Sequence, residues 1–454
     1  MSPDELDRAM VVGYLSRMTD HDPVPTRWSL DDTMTDLARL GLPPGGVVVF
    51  AMSNGARLAT LYFAALLTGL VPLLISPATP SARVLDLAGR IGAHALVAGR
   101  LHPARYGATT THPVAGAQAV LLDSLSDSAF RPGEVLMLTS GTSGSFSVCV
   151  HRVGSLLRNA RRHAHAVGMR ADDLVLVTLP LHYSYALVAQ LFAGLVSGAS
   201  LVISGPPFSP AAYLSAVRDR GVSSSSITPT IARLLLEHGE RLPPSLRMLT
   251  VGGDWLASAH VAQLLAMNPV GELYLTYGLT EAGPRVSTLA AHAEPAHRHA
   301  SVGVPLPGVR VHIHGGGREG ELLVESDTNL LRKIGAGRSG PRPGLVATGD
   351  VMRIDDGYLY FRGRLSDFLV VRGEKVSLST IRRAANAIPG VLSCSLHVEP
   401  AAGAEVNIDL RVVMSRQDPV AEHRFRRQLN ASLLPSERPR SIVFAPPDPA
   451  MLPK

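Results

Sequence analysis

Hydroxyl side chains and glycines alternate in one segment of this sequence, directly after the apolar run Val135–Leu138. Glycines let the backbone approach an anion closely, and hydroxyl and backbone N–H groups donate hydrogen bonds to phosphate oxygens. No Gly-Lys-Ser/Thr follows, so the segment is not a Walker loop. Taken alone it fits a phosphate loop or an ordinary turn after a strand. Its residues are Thr139, Ser140, Gly141, Thr142, Ser143 and Gly144.

Two later motifs also carry groups that suit a nucleotide. In Tyr277-Gly278-Leu279-Thr280-Glu281, the Thr280 hydroxyl can bond phosphate and the Glu281 carboxylate can hold Mg²⁺ through oxygen. In Thr348-Gly349-Asp350, the carboxylate can accept both hydroxyls of a ribose. Each motif alone could be a turn. The three motifs in this order indicate a nucleotide site.

The apolar pattern predicts the elements that position these motifs. Short apolar runs alternate with Ala- and Leu-rich helical segments over the first two-thirds of the chain, which predicts an α/β fold of stacked, largely parallel sheets. Short strands separated by Gly, Pro and Asp predict a small antiparallel β-barrel or sheet at about 302–363. We therefore expect an N-terminal domain over residues 1–363 and a small α+β C-terminal domain over 364–454.

Composition excludes several classes of protein. The chain has 454 residues and a net charge of +6. Its two cysteines cannot make a disulfide framework, and so few cysteines fit a cytoplasmic protein. The sequence contains no basic motif interleaved with aromatic residues, so it does not support nucleic-acid binding. The longest apolar stretch, 62–75, is too short to span a membrane. The densest basic group favours a solvated helix face over a patch for an acidic partner; it comprises Arg158, Arg161, Arg162, His163 and His165.

The order and spacing of the motifs resemble the adenylate-forming superfamily, which includes acyl-CoA synthetases, peptide-synthetase adenylation domains and firefly luciferase. The resemblance implies that ATP and Mg²⁺ are cofactors and that the C-terminal domain acts as a lid. It implies that residues 139–144 form the phosphate loop, and it assigns roles to further residues. These are Gly252, Gly253 and Asp254 at the adenine, Tyr277 stacked on it with Gly278 next to it in the nucleotide site, Thr280 at the α-phosphate, Glu281 on Mg²⁺, Asp350 on the ribose, and Arg364 after it.

The segment Leu179–Tyr185 looks like the family motif that lines the acid pocket. The family usually has a histidine one place after His182, where this chain has Tyr183, so His182 either lines the pocket or is a packed core histidine. The pocket residues that the resemblance implies are His182, Tyr183, Ser184, Gly278 and Gly303, and Arg285 weakly favours a polar or aromatic acid.

Three departures from the family bear on activity. The phosphate loop normally continues into Pro-Lys-Gly, but here the matching residues are Phe146-Ser147-Val148, and Arg152 is a candidate substitute for the lysine. Ser366 stands at the usual hinge aspartate, which still permits rotation. The catalytic Gly-Lys near the C-terminus is missing. Lys454 is either that lysine displaced by a short deletion or only a frayed end of the chain, in which case the function is lost or another subunit provides it.

The resemblance implies adenylation of a small aryl or acyl carboxylic acid with release of pyrophosphate. Transfer to coenzyme A or to a carrier-protein thiol would follow. One alternative is activation of a non-carboxylate oxyanion such as nitrite for transfer to an amine. Another is a degenerate nucleotide-binding or scaffold protein without turnover, although retained Thr280, Glu281, Asp350 and Arg364 argue against it.

Overall fold

The computed structural model describes most of the chain and confirms the α/β fold class. The described ranges are 4–21, 28–123, 129–139, 147–205, 207–269, 271–335, 344–371, 374–400, 406–416 and 418–447. The loop residues 140–146 and Lys454 therefore lie outside the described residues. Within the described part, no helix has the length and apolar content needed to cross a membrane.

The larger part of the chain alternates strands and helices up to about residue 305. The strands are β1 (Met18–Asp20), β2 (Val47–Ala51), β3 (Val71–Ile75), β4 (Ala93–Ala98), β5 (His112–Val114), β6 (Ala117–Leu121), β7 (Glu134–Thr139), β8 (Ser147–Arg152), β9 (Leu174–Val177), β10 (Ser200–Ile203), β11 (Ser224–Ile227), β12 (Met248–Gly252), β13 (Glu272–Tyr277), β14 (Ser287–Ala290) and β15 (Val304–Pro305). The helices are α1 (Arg8–Leu15), α2 (Leu30–Ala38), α3 (Ala56–Leu67), α4 (Ser81–Ile91), α5 (Val153–Ala166), α6 (Ser184–Ala186), α7 (Ala193–Ser197), α8 (Pro210–Arg220), α9 (Pro229–His238) and α10 (Ser258–Met267). A π-helical turn, Leu187–Phe192, joins α6 to α7.

These strands form two eight-stranded sheets, and one of them includes a further strand, β18 (Arg332–Ile334). The first sheet has the order β1-β10-β9-β11-β12-β13-β14-β15 and is parallel up to β13. The second has the order β18-β8-β7-β3-β2-β4-β6-β5. Only its central strands β7, β3, β2 and β4 pair in parallel, so the expectation of largely parallel sheets is wrong for it. The largest apolar core joins both sheets through the helices packed between them.

A small antiparallel sheet follows the α/β part, as the Gly- and Pro-separated strands predict. It contains β16 (Val309–Ile313), β17 (Glu319–Ser326), β19 (Leu345–Asp355) and β20 (Tyr358–Arg364), in the order β16-β17-β19-β20. Strand β15 contacts both edge strands, β16 and β20, so the sheet curls around the end of the first large sheet. This contact brings β19 and β20 next to the end of β13.

The last segment has its own apolar core, which is built around the fully buried Phe425. Its elements are β21 (Phe368–Val371), β22 (Glu374–Ser377), α11 (Leu378–Asn386), β23 (Val391–Pro400), β24 (Val406–Met414), α12 (Pro419–Ser432) and β25 (Ser441–Ala445). It rests on α9, where Arg233 Nε donates to Leu392 O at 2.8 Å and Gly390 N donates to Glu237 Oε1 at 3.0 Å. Whether residues 364–454 are a separate domain stays a prediction.

We expect Phe425→Ala to destabilise the C-terminal segment by about 3–5 kcal/mol, because it leaves a cavity in a small core. Amide hydrogen exchange should accelerate in β23, β24 and β25 and stay unchanged in β2 and β3. Val443→Ala, at a side chain that is 56% exposed, is the matched control and should change little. Equal loss of protection in both parts of the chain would contradict a separate folding unit.

Candidate active site

Asp350 lies at the centre of the predicted site, and its carboxylate is almost fully buried. Antiparallel pairing of β19 with β20 sets Asp350 opposite Arg364, whose Nε lies 3.0 Å from Asp350 Oδ1. Tyr277, at the end of β13, donates its hydroxyl to Asp350 Oδ2 at 2.7 Å. Two motifs that are far apart in sequence therefore meet on one carboxylate.

The electrostatics of Asp350 follow from its burial. Desolvation raises the pKa of the Asp350 carboxyl, while the Arg364 guanidinium and the Tyr277 hydroxyl act against that rise. Burial and the neighbouring carboxylate raise the pKa of Tyr277 well above its usual value, so its hydroxyl stays a donor. Asp350 is therefore held in place as an acceptor that could receive ribose hydroxyls.

Thr280 and Glu281 follow β13 in a single turn of 3₁₀-helix, Thr280–Ala282. The Thr280 Oγ1 lies 2.9 Å from Ser184 Oγ at the start of α6, which joins the predicted phosphate residue to the predicted acid pocket. The Glu281 carboxylate lies 2.8 Å from the ammonium nitrogen of Lys333 on β18. The sequence analysis did not find Lys333.

Two glycines allow the backbone to approach closely around the turn. A Cβ at Gly278 would come within 1.7 Å of Pro284 O and within 2.8 Å of an Arg285 guanidinium nitrogen. Gly303 has a φ of +83°, and a Cβ there would meet Thr288 O at 1.9 Å. Any side chain at either position would displace the segment that carries Arg285 or the strand β14 beside it.

The predicted pocket motif is fixed from behind by Asn54. Its side-chain amide donates to Leu179 O at 2.8 Å and accepts from Leu181 N at 2.9 Å. Further along the motif, Ser184 contacts Thr280. The side chain of Tyr183 is 38% exposed and packs on the ring of His182. Burial lowers the pKa of His182 to about 4, so this histidine is neutral at physiological pH.

The predicted adenine segment lies at the end of β12, which is the neighbour of β13 in the sheet. Gly252 closes the strand, and Asp254 accepts a hydrogen bond from Trp255 N in the following turn. A cavity of about 20 Å³ lies between this turn, β13 and residues 299–302, which is room for about one water molecule. A larger cavity, about 560 Å³, lies elsewhere, at the carboxyl ends of β2, β3 and β4.

Arg285 is a fully buried cation beside this site. Its guanidinium stacks over the Tyr185 ring at 4.4 Å and donates to Thr276 Oγ1 at 3.1 Å. No carboxylate pairs with it among the residues that the structure describes, and burial lowers its pKa to about 10. Asn159 on α5 holds its backbone, accepting from Arg285 N and donating to Arg285 O, both at 2.9 Å.

The basic group on α5 differs from its sequence-based interpretation. Arg158, Arg161 and Arg162 form ion pairs with Asp4 and Asp327, and they are not free on a solvated face. The interpretation of His163 as part of a solvated helix face is wrong, because its side chain is fully buried. The helical spacing from Leu156, Ala160 and Ala164 turns it toward the core.

The hypothesis that Arg152 substitutes for the loop lysine is also wrong. Side chains alternate along β8, so Ser147, Cys149 and His151 share one face, while Val148, Val150 and Arg152 share the other. The Val148–Arg152 face is the one that packs in the second apolar core, and Arg152 is exposed at its end. Thr139, opposite Ser147 in β7, lies on the first face.

Mg²⁺ is compatible with the donor set at this turn. No group of three or more metal-ligating side chains occurs in the described part of the chain. Mg²⁺ commonly keeps several waters and takes one or two carboxylates together with substrate phosphates. A single carboxylate, that of Glu281, beside a phosphate site fits that pattern, so most ligands would come from the nucleotide and from water.

Two stacked α/β sheets, with a carboxylate-centred site where a small β-sheet meets the end of β13, define a member of the adenylate-forming superfamily. Residues 36–332 match the family model described as AMP-binding enzyme, and the chain belongs to that family. The superfamily predicted from the motifs is confirmed.

The relatives found by sequence include a salicyl-AMP ligase / salicyl-S-ArCP synthetase of Mycobacterium tuberculosis, which is 25% identical over 80% of this chain and 71% of its own. They also include the long-chain-fatty-acid–CoA ligase FadD13 of the same species, 26% identical over 90% of this chain and 86% of its own. An o-succinylbenzoate CoA synthetase of Bacillus subtilis, solved with an acyl-adenylate, shares the fold with a TM-score of 0.78 and 19% identity, over 98% of this chain and 95% of that chain. It has also been solved with ATP and a magnesium ion.

Buried His163 predicts a specific acid sensitivity. Burial and the nearby Arg285 lower its pKa to about 3, whereas an unfolded histidine titrates near 6.5. Below about pH 6.5 the unfolded chain takes up the proton and the folded chain does not, so stability falls as the pH decreases toward 3. His163→Leu should remove up to about 2 kcal/mol of the loss in unfolding free energy between pH 6.5 and 5.

Urea unfolding at several pH values measures the slope of the unfolding free energy against pH. His165→Leu, at an exposed position on the same helix, is the control and should follow the wild type. An unchanged slope in His163→Leu would show that His163 is protonated in the folded protein.

Proposed function

We propose that this protein activates a small carboxylic acid with Mg²⁺ and ATP, and then passes the acyl group to a thiol of coenzyme A or of a carrier protein. The observation that carries the proposal is the convergence of Tyr277 and Arg364 on the buried carboxylate of Asp350, one turn away from Thr280 and Glu281. A scaffold would need neither this carboxylate nor its two partners.

The two steps are a displacement at phosphorus and an acyl transfer. A carboxylate oxygen attacks the α-phosphorus of ATP, and the bond from that phosphorus to the bridging oxygen breaks, which releases pyrophosphate. A thiolate then attacks the carbonyl carbon of the acyl-adenylate, and AMP leaves with the former carboxylate oxygen. The protein contributes mainly positioning and charge stabilisation to such phosphoryl chemistry.

Each converging residue has a role in this proposal. Asp350, held by Tyr277 and Arg364, receives the ribose hydroxyls. Thr280 donates to the α-phosphate, and its contact with Ser184 sets the phosphate beside the acid. Glu281 holds Mg²⁺, which when bound offsets phosphate charge.

The surroundings of Arg285 favour a small polar or aromatic acid. A fully buried guanidinium stacked on Tyr185 is poorly suited to a long apolar chain, since a desolvated cation gains nothing from a methylene. The names of the two relatives above include both an aryl acid and a fatty acid. Arg285 supports the aryl or short acyl class.

A pyrophosphate-release assay over a panel of acids tests the proposal. The panel contains aryl, short-chain and long-chain acids, each with and without coenzyme A, and nitrite with an amine as a further arm. We expect release with aryl or short acyl acids. Release of pyrophosphate only in the nitrite arm would replace the carboxylate proposal. ATP binding without pyrophosphate release in any arm would contradict activation of either a carboxylate or nitrite.

Glu281→Gln should lower the rate of pyrophosphate release by about a hundredfold or more, because a neutral amide is a much weaker Mg²⁺ ligand of nearly the same shape. Rates measured across Mg²⁺ concentrations show whether the loss lies at the metal. Glu240→Gln, in an exposed ion pair with Arg218, is the control. An unchanged rate in Glu281→Gln would remove Glu281 from the metal site.

A further inference from the structure

The edge strand β18 brings a lysine close to the sheet position where the family's loop lysine is missing. Strand β18 pairs antiparallel with β8, with Lys333 opposite Cys149 and Ile334 opposite Val148. Strand β8 begins at Ser147, the residue that stands in place of the usual lysine. Lys333 is therefore one strand across and two residues along from that place.

The side chain of Lys333 also projects from the face of the sheet that carries Ser147 and Cys149. Residues directly opposite each other in an antiparallel pair project to the same side. Lys333 thus shares a face with Cys149, and with Ser147 by alternation along β8. Glu281 lies over this face, where burial and then its carboxylate raise the pKa of the Cys149 thiol.

The Lys333 ammonium reaches the carboxylate that is predicted to hold Mg²⁺. Its nitrogen lies 2.8 Å from Glu281 Oε1, and the two side chains are only 16% and 20% exposed. Charges this far out of water need a partner of opposite sign. In the described structure, each of these two groups is the ion-pair partner of the other.

We propose that Lys333 is the cation that neutralises the phosphates of ATP beyond the α-phosphate, in place of the missing loop lysine. This inference rests on the proposed function. Glu281 would hold Mg²⁺ through its carboxylate, and the Lys333 ammonium would then exchange this carboxylate for the phosphate oxygens of the nucleotide. Both the carboxylate and the ammonium keep an opposite charge throughout the exchange.

Three other arginines near these strands do not contact Glu281. Arg364 pairs with Asp350. Arg332, the neighbour of Lys333, projects to the opposite face of β18 and pairs with Glu134 at 3.1 Å. Arg152 points away from the site on the far face of β8. Lys333 is the one of these four that contacts the predicted metal carboxylate.

Calorimetric binding of Mg·ATP and of AMP to the purified full-length protein tests this assignment. Lys333→Met should weaken Mg·ATP binding by about ten- to a hundredfold, the usual worth of a charge-assisted hydrogen bond, and AMP binding by less than about threefold. Lys333→Arg should restore most of the Mg·ATP affinity. Arg332→Met removes a cation from the same strand on the other face and should leave the ATP-to-AMP ratio unchanged.

Lys333→Gln gives the same comparison if the methionine variant does not fold, since glutamine can still donate to Glu281. Mg·ATP affinity equal to or tighter than that of the wild type in the uncharged variant would overturn the proposal, and would leave Lys333 as a neutraliser of Glu281 only. Equal weakening of ATP and AMP would also overturn it. Failure of the proposed function is separate: the wild type would bind Mg·ATP and release no pyrophosphate with any acid.

Discussion

The buried carboxylate of Asp350 is the constraint on which the rest of the site depends. At 2% exposure it needs compensation for its charge, and it receives an ion pair from Arg364 in the same sheet and a hydrogen bond from Tyr277 in another sheet. The Arg364 side chain is 45% exposed, so water screens part of this interaction, but its removal would leave the buried Asp350 charge without a cation. The Tyr277–Asp350 hydrogen bond joins the small β-sheet to the end of β13, directly before the turn that carries Thr280 and Glu281.

The same balance recurs one turn away, where Lys333 neutralises Glu281. Both carboxylates of the site have a cation within 3.0 Å before any ligand binds. A nucleotide with its metal ion brings its own charges, so at these two carboxylates its binding must exchange partners. An exchange keeps the cost of desolvation low, and it makes the affinity depend on which cation can move. The long, flexible lysine is better suited to moving than Arg364, whose backbone is fixed opposite Asp350 by the β19–β20 register.

The sequence predicted the order of the strands and helices well, because buried strands are continuous apolar runs. The roles of the three motifs stay predictions, and residues 140–144 of the first motif lie outside the described residues. The sequence could not predict strand direction in the second sheet, since a strand covered on both faces shows no alternation. Lys333 was missed because its role depends on a long-range antiparallel pairing of β18 with β8, for which one sequence carries no signal. Arg152 was proposed from closeness in sequence alone. The period-two alternation of β8 could have excluded it, as the helical period could have placed His163 inside.

The most direct test of adenylation follows oxygen atoms. The acid that gives the fastest pyrophosphate release is labelled with ¹⁸O in its carboxyl group, and the AMP formed after thiol transfer is analysed by mass spectrometry. If the carboxylate attacks the α-phosphorus, each AMP carries one ¹⁸O atom from the acid. AMP without label, or ADP and phosphate in its place, would contradict an acyl-adenylate intermediate.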